Sequence, residues 1–392
     1  MVIAVVAMFL QQTCGSVGRV LPAVLAPLII LELHADPSWV GVYFGLVAIA
    51  ALIGQLGSVG FIIRHGAIRM SQMALLSTGG GMAVAVIGGA TGFVLSALVR
   101  NGIAAVATHA SSHLLGRLAG RRYAPFAFSI TQTAIPAGIL LGGSLGPLLA
   151  QHIGWRGTML VSAGACWCFA LLLQPLHGRI DTEATPTHAI HLSDFRTTVT
   201  SVLAVRELRA LSFACFAFNG LQAVFTAYFV TYLTALGYDL VAAGALFSAV
   251  IAIAIPCRIL WGRVGSFYVA PRLVMSGLAF GMAISIVLTG ALSAAWPTLA
   301  IGAVTGALSA TAMSWHGILL SESARLAPSG RAGTVTGGVL SFGQMGAFLC
   351  PSVFALLLWL TGGYAAGWVV CAAPAVWVGA NLLRQGRVDA GA

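Results

Sequence analysis

Twelve long apolar stretches run through the chain, near residues 3–31, 39–63, 70–90, 92–116, 124–150, 156–175, 208–236, 241–264, 271–292, 297–322, 332–360 and 364–384. A helix needs about 20 apolar residues to cross the hydrocarbon core of a bilayer. Only 7% of the residues are charged, against roughly 25% in soluble domains. Lipid offers no partner for backbone N–H and C=O groups, so an apolar segment of this length must satisfy them internally, as a helix. The pattern predicts an all-α integral membrane protein with twelve transmembrane helices.

All nineteen basic residues are arginine. Fifteen fall in every second connection or at the C-terminus, one (Arg156) in the opposite loops, and three (Arg19, Arg100, Arg258) inside the spans. Such a distribution follows loops, so the net charge of +10 is no nucleic-acid signal. Positive-inside bias puts both termini in the cytoplasm and requires an even number of crossings. The first apolar segment exceeds a signal-peptide core and lacks a basic leader, which predicts a retained helix. The seven cysteines all fall in spans, where they are expected to be small apolar packers, and no metal-binding spacing occurs.

The longest polar connection, 176–207, divides the spans six and six, giving two expected bundles, 1–175 and 208–392, joined by a cytoplasmic linker. Weak internal similarity supports a duplication: Ser129-Ile-Thr-Gln132 recurs as Ser341-Phe-Gly-Gln344, and Gly154-Trp155 loosely as Gly363-Tyr364. Parallel halves with a cargo site at the midplane are a common transporter plan.

Several segments carry a resemblance. Arg64-His-Gly66-Ala-Ile-Arg69 resembles the cytoplasmic loop motif of the major facilitator superfamily, with Ile63 where that motif has an acid. Arg100-Asn-Gly102 resembles its arginine-glycine motif in span four, where Arg100 is expected close to the external surface. Phe128-Ser-Ile-Thr-Gln-Thr-Ala-Ile-Pro136 and the tract from Trp315 to Pro328 are similar to segments of cyanate-permease-like bacterial members. Arg258-Ile-Leu-Trp-Gly262 resembles a site in monocarboxylate transporters, another branch, where the arginine holds the carboxylate. Gly138, Gly142 and Gly146 form a small-residue stripe that lets helices approach closely. The stripe also partly resembles an antiporter motif, with Leu148 and Leu149 in place of its glycine pair. The resemblance implies two pseudo-symmetric six-helix bundles and secondary transport by alternating access in a bacterial inner membrane, by a monomer.

An arginine in hydrocarbon costs a few kcal/mol, so it faces a polar cavity, a partner or a ligand. For Arg258 the choice lies between a bidentate grip on a carboxylate and snorkelling to the interface. For Arg19 it lies between an anion site and pairing with carbonyls beside the helix bent at Pro22. A gating or packing role is expected of Arg100. Asn219, Gln222 and Thr226 share a face of span seven, and Ser129, Gln132 and Pro136 a face of span five. His316 should share a face of span ten with Thr305, Ser309 and Ala312. It and His109, four residues from His113, could carry a coupling proton or simply pack. None of the nine acidic residues is mid-membrane, which disfavours a cationic cargo. No phosphate loop, nucleophile–base pair or metal cluster is legible, so neither a primary pump nor an enzyme is expected.

These readings converge on transport of a small organic anion, a monocarboxylate, without cofactor. Arg19 and Arg258 would bind the anionic head, and Gln222, Asn219, Gln132, Gln344 and His316 would supply hydrogen bonds. Export of drugs or metabolites on the same fold, and a non-transporting membrane sensor, are the alternatives.

Overall fold

The computed structural model describes residues 2–56, 58–106, 110–111, 114, 124–181, 199–200, 202–327 and 332–390. Fifteen helices occupy them: α1 (Val2–Val24), α2 (Ala26–Leu33), α3 (Trp39–Leu56), α4 (Ser58–His65), α5 (Ala67–Ala85), α6 (Gly89–Ala104), α7 (Ala124–Leu172), α8 (Gln174–Ile180), α9 (Arg206–Ala235), α10 (Leu240–Phe267), α11 (Pro271–Gly290), α12 (Thr298–Ala312), α13 (His316–Arg325), α14 (Ala332–Thr361) and α15 (Tyr364–Ala390). Among the described residues, each of the twelve apolar stretches overlaps one or two of these helices.

Among the described residues, eight helical stretches are long and apolar enough to cross a membrane. One of them, Thr133–Gly178, holds two expected spans and breaks at Gly154, whose φ of 69° only glycine adopts cheaply. The counterpart break between α14 and α15 falls at Gly362, φ 67°, one residue before the glycine that the repeat picked out. Helix α3 is apolar but shorter, and α5 and α6 are not among the eight.

The chain divides into two compact units, Met1–Ala35 with Leu46–Asp194, and Asp36–Gly45 with Phe195–Ala392. In the first unit the main packing is α1 on α7. The glycine stripe of α7 lies in that seam: a Cβ on Gly138 would run into the Thr13 carbonyl and the Ser16 side chain, and one on Gly146 into Leu21 at 2.7 Å. At the start of α5, Gly66 has φ 87°, and both carboxylate oxygens of Asp181 accept backbone N–H groups there, from Ile68 at 3.1 Å and Arg69 at 2.9 Å. Asp181 thereby satisfies two of the four donors a helix start leaves open.

In the second unit α9 packs on α14 and α11 on α15. Gly346 lies so close to the Phe216 carbonyl that no side chain would fit. The beginning of α3 belongs to this unit as well: Gly41 lies against Tyr228 and the Pro351 carbonyl, and Gly45 against Ser352. All seven cysteines are free thiols, mostly buried, and Cys14 and Cys166 stand 3.6 Å apart across the α1–α7 seam.

Candidate functional site

Each unit holds intramembrane arginine. In the first unit Arg19, on α1, donates from Nε to the Gly15 carbonyl (3.3 Å) and from Nη2 to Ser16 Oγ (2.9 Å). Ser16 is fixed by the close approach that Gly138 allows, so the glycine stripe sets where this guanidinium stands. Gln12, Ser16 and Arg19 recur at helical spacing on one side of α1. Gln12 is 1% exposed, and its amide oxygen has no hydrogen-bond partner among the described residues.

Arg100 is fully buried on α6, beside α1. Its Nη1 donates to the carbonyls of Gly18 (3.2 Å) and Arg19 (3.3 Å). The Gly18 carbonyl would ordinarily accept from residue 22, but Pro22 has no N–H. Arg100 thus fills the acceptor that Pro22 orphans, and it is the arginine paired with carbonyls at the bend. The neighbouring residues of its motif act on α3: Asn101 Nδ2 donates to the Val47 carbonyl at 3.3 Å, and the Gly102 carbonyl packs on Gly54. Gly81 on α5 leaves room for the Arg100 side chain.

In the second unit the stretch expected as span ten is two helices. The α-helical hydrogen-bond ladder is interrupted between α12 and α13: the Met313 N–H still bonds the Ser309 carbonyl at 3.0 Å, the Ser314 N–H shifts to the Thr311 carbonyl at 3.4 Å, and neither proline nor glycine lies within Met313–Trp315. Carbonyls released at the end of α12 are taken by α10: Arg258 Nε donates to the Met313 carbonyl at 2.7 Å and Trp261 Nε1 to the Ala310 carbonyl at 3.0 Å. In the other direction, Ser314 Oγ donates to the Ala254 carbonyl at 3.3 Å. Guanidinium at a helix C-terminus also opposes the negative end of the helix dipole. The break removes the continuous face expected to join His316 with Thr305, Ser309 and Ala312.

The same break brings other residues together. Trp315 Nε1 donates to Gln222 Oε1 on α9 at 3.2 Å, and the Trp315 indole stacks on the His316 ring at 3.7 Å between centroids. His316 Nδ1 is buried with no hydrogen-bond partner among the described residues, and the ring is an electrostatic neighbour of Arg258. Arg258, Gln222 and His316 thus form one cluster with Trp261 and Trp315. Asn219 turns elsewhere: its Nδ2 donates to the Gly343 carbonyl on α14 at 2.8 Å, a tie between helices. Gln344 follows that carbonyl on α14, half-buried. Gln132 lies in α7 with its side chain outside the described part, and His109 and His113 lie outside the described residues.

Two ionic clusters were not anticipated as such. Glu32, at the end of α2, accepts from Trp155 Nε1 at 2.6 Å and pairs with Arg156, whose Nε donates to the Val86 carbonyl at 3.2 Å. The Arg156 hydrogen bond, then that of Trp155, holds the Glu32 carboxyl below its usual range. Glu322, 3% exposed on α13, accepts two hydrogen bonds from Arg325 (2.8 and 2.7 Å) and lies 3.5 Å from Arg272. Among the described residues, no group of three or more metal-ligating side chains occurs.

Residues 5–351 match the Major Facilitator Superfamily, and the chain belongs to that family. It is a multi-pass integral membrane protein and a secondary transporter of a small solute, of a family without enzymatic activity. No curated protein matches it in sequence. Solved structures show the same fold. A bacterial homologue of the human lysosomal transporter Spinster is 14% identical, with a TM-score of 0.76 over 98% of this chain and 96% of that one. A POT family transporter in complex with 5-aminolevulinic acid is 13% identical, TM-score 0.75, covering 98% and 96%. A D-xylose–proton symporter is 17% identical, TM-score 0.71, covering 97% and 96%.

Proposed function

We propose that the solute is a small organic anion, a monocarboxylate, and that Arg258 and Arg19 receive its charged head. The supporting observation is chemical: both side chains donate hydrogen bonds to neutral oxygens. Arg19 touches a carbonyl and a hydroxyl, and Arg258 touches a carbonyl. A guanidinium attracts a carboxylate, to which it can donate two parallel hydrogen bonds. The cluster around Arg258 adds an amide at Gln222, an imidazole at His316 and apolar indole faces, suited to a short organic acid.

The resemblance of Arg258-Ile-Leu-Trp-Gly262 to monocarboxylate transporters, and of the Phe128–Pro136 segment to cyanate-permease-like members, supports the same reading. The arginine distribution supports cytoplasmic termini in a bacterial inner membrane. The polar composition of 176–207 supports its role as the linker between bundles 1–175 and 208–392, in a transporter acting as a monomer. Coupling to protons runs through His316, His109 or the acid itself. Collapsing the pH gradient should then abolish accumulation, and accumulation that persists removes symport.

The direct test is thermal unfolding of the purified protein against carboxylates, cyanate, nitrate and cationic dyes. A ligand that binds only the folded state raises the melting temperature. Carboxylates should do so in the wild type and fail in Arg258→Ala and Arg19→Ala. Stabilisation by cationic dyes alone would overturn the proposal.

A further inference from the structure

The gap between α12 and α13 has no breaker residue to explain it. From Thr298 to Arg325 there is no proline, and the residues at which the α-helical ladder is interrupted are methionine, serine and tryptophan, with Met313 and Trp315 keeping right-handed helical dihedrals. A continuous helix would satisfy its own backbone: the N–H groups of His316, Gly317 and Ile318 would donate to the carbonyls of Ala312, Met313 and Ser314. As folded, those donors are in the first turn of α13, where helices lack internal partners. What replaces the lost bonds comes from α10: Arg258 on the Met313 carbonyl, Trp261 on the Ala310 carbonyl, and the Ala254 carbonyl receiving Ser314. The interruption is thus imposed by tertiary donors on a segment whose sequence is content to be a continuous helix.

We infer that Arg258 is a positioning latch for span ten as well as the anion's receptor: its guanidinium gives up the Met313 carbonyl when a carboxylate binds, and the gap then closes into helix. This rests on the proposed role of Arg258 in binding. A carboxylate carries full charge and is the stronger acceptor, so it displaces a neutral carbonyl from a guanidinium. The freed Met313 carbonyl then takes the Gly317 N–H, its nearest available donor. Because Trp315 and His316 sit at the gap, winding it would rotate both rings and break the Trp315–Gln222 hydrogen bond. Binding of the solute's charged end is in this way transmitted to α13. Trp261 is the auxiliary half of the latch, since it holds a carbonyl of α12 without offering charge to a ligand.

Hydrogen–deuterium exchange of the purified full chain tests the latch without knowledge of the cargo. In Arg258→Met, which keeps length and removes the donors, the peptide covering 314–319 should exchange more slowly than in wild type, on the order of fivefold, as one net backbone hydrogen bond gives. Arg258→Lys keeps a donor and should restore wild-type exchange. Trp261→Phe, which leaves Arg258 in place, should give an intermediate slowing and covers the case in which Arg258→Met does not fold. Unchanged or faster exchange in both Arg258→Met and Trp261→Phe overturns the latch. Repeating the measurement on wild type with saturating pyruvate, lactate and acetate separates the two ideas. If an acid raises the melting temperature through Arg258 but leaves 314–319 unchanged, binding stands and the latch fails. If the variants slow exchange while no acid stabilises the protein, the latch stands and the carboxylate assignment fails.

Discussion

Pro22 removes a donor from the middle of α1, and the guanidinium that compensates comes from α6, not from Arg19 on the same helix. Arg100 therefore carries a structural load: it supplies to the buried Gly18 carbonyl the donor that Pro22 cannot. Arg100→Ala should destabilise the protein by about 1–3 kcal/mol, the cost of an unsatisfied buried acceptor. Thermal unfolding in detergent measures this, and Arg100→Lys should recover part of it. Arg19→Ala removes only contacts within its own helix turn, so it should leave stability nearly unchanged while weakening anion binding. The three arginines were visible in the sequence as anomalies in hydrocarbon. Their division of labour was not, because which guanidinium reaches a proline-orphaned carbonyl depends on how α1, α5 and α6 pack. His109 and the Gln132 side chain lie outside the described part of the structure.

At the scale of helices, the glycine stripe Gly138, Gly142 and Gly146 was legible because small residues four apart have one geometric use, a close helix seam. Gly138→Leu would drive a side chain into the Thr13 carbonyl and Ser16. It should cost about 1–3 kcal/mol by overpacking, read as a lowered melting temperature, and should displace Arg19 through Ser16. The turn at Gly154 was legible too, from glycine and a flanking charge. The gap in span ten was not: no residue there signals a break, and its cause lies on α10. In the first unit the end of α2 is tied through Glu32 to Trp155 and Arg156. Since these partners lower the Glu32 pKa, the tie stabilises the folded state above the ordinary carboxylate range. That contribution is lost as pH falls through the depressed folded value. The melting-temperature difference between wild type and Glu32→Gln should thus hold constant above roughly pH 5 and shrink below it. A difference that grew toward acid would contradict the assignment.

For the whole molecule, apolar length and the arginine count of alternate loops were enough to define a many-helix membrane protein, and the family match bears the fold out. Those features are decided by the bilayer, which acts on every span alike. The cargo is decided by a handful of side chains, and there the sequence showed charge without showing contact. Asn219 and Gln222 illustrate the limit: three residues apart and both polar, they diverge, one tying α9 to α14 and the other joining Trp315 beside Arg258. The central claim is that the guanidinium groups of Arg19 and Arg258 select negative solutes. Uptake of labelled pyruvate, lactate and acetate into proteoliposomes tests it most directly, with wild type, Arg258→Ala and Arg19→Ala side by side. The account predicts uptake of at least one acid by the wild type and its loss in Arg258→Ala, with Arg19→Ala strongly reduced. Uptake equal in all three proteins, or transport of a cationic dye with none of the acids, would contradict it.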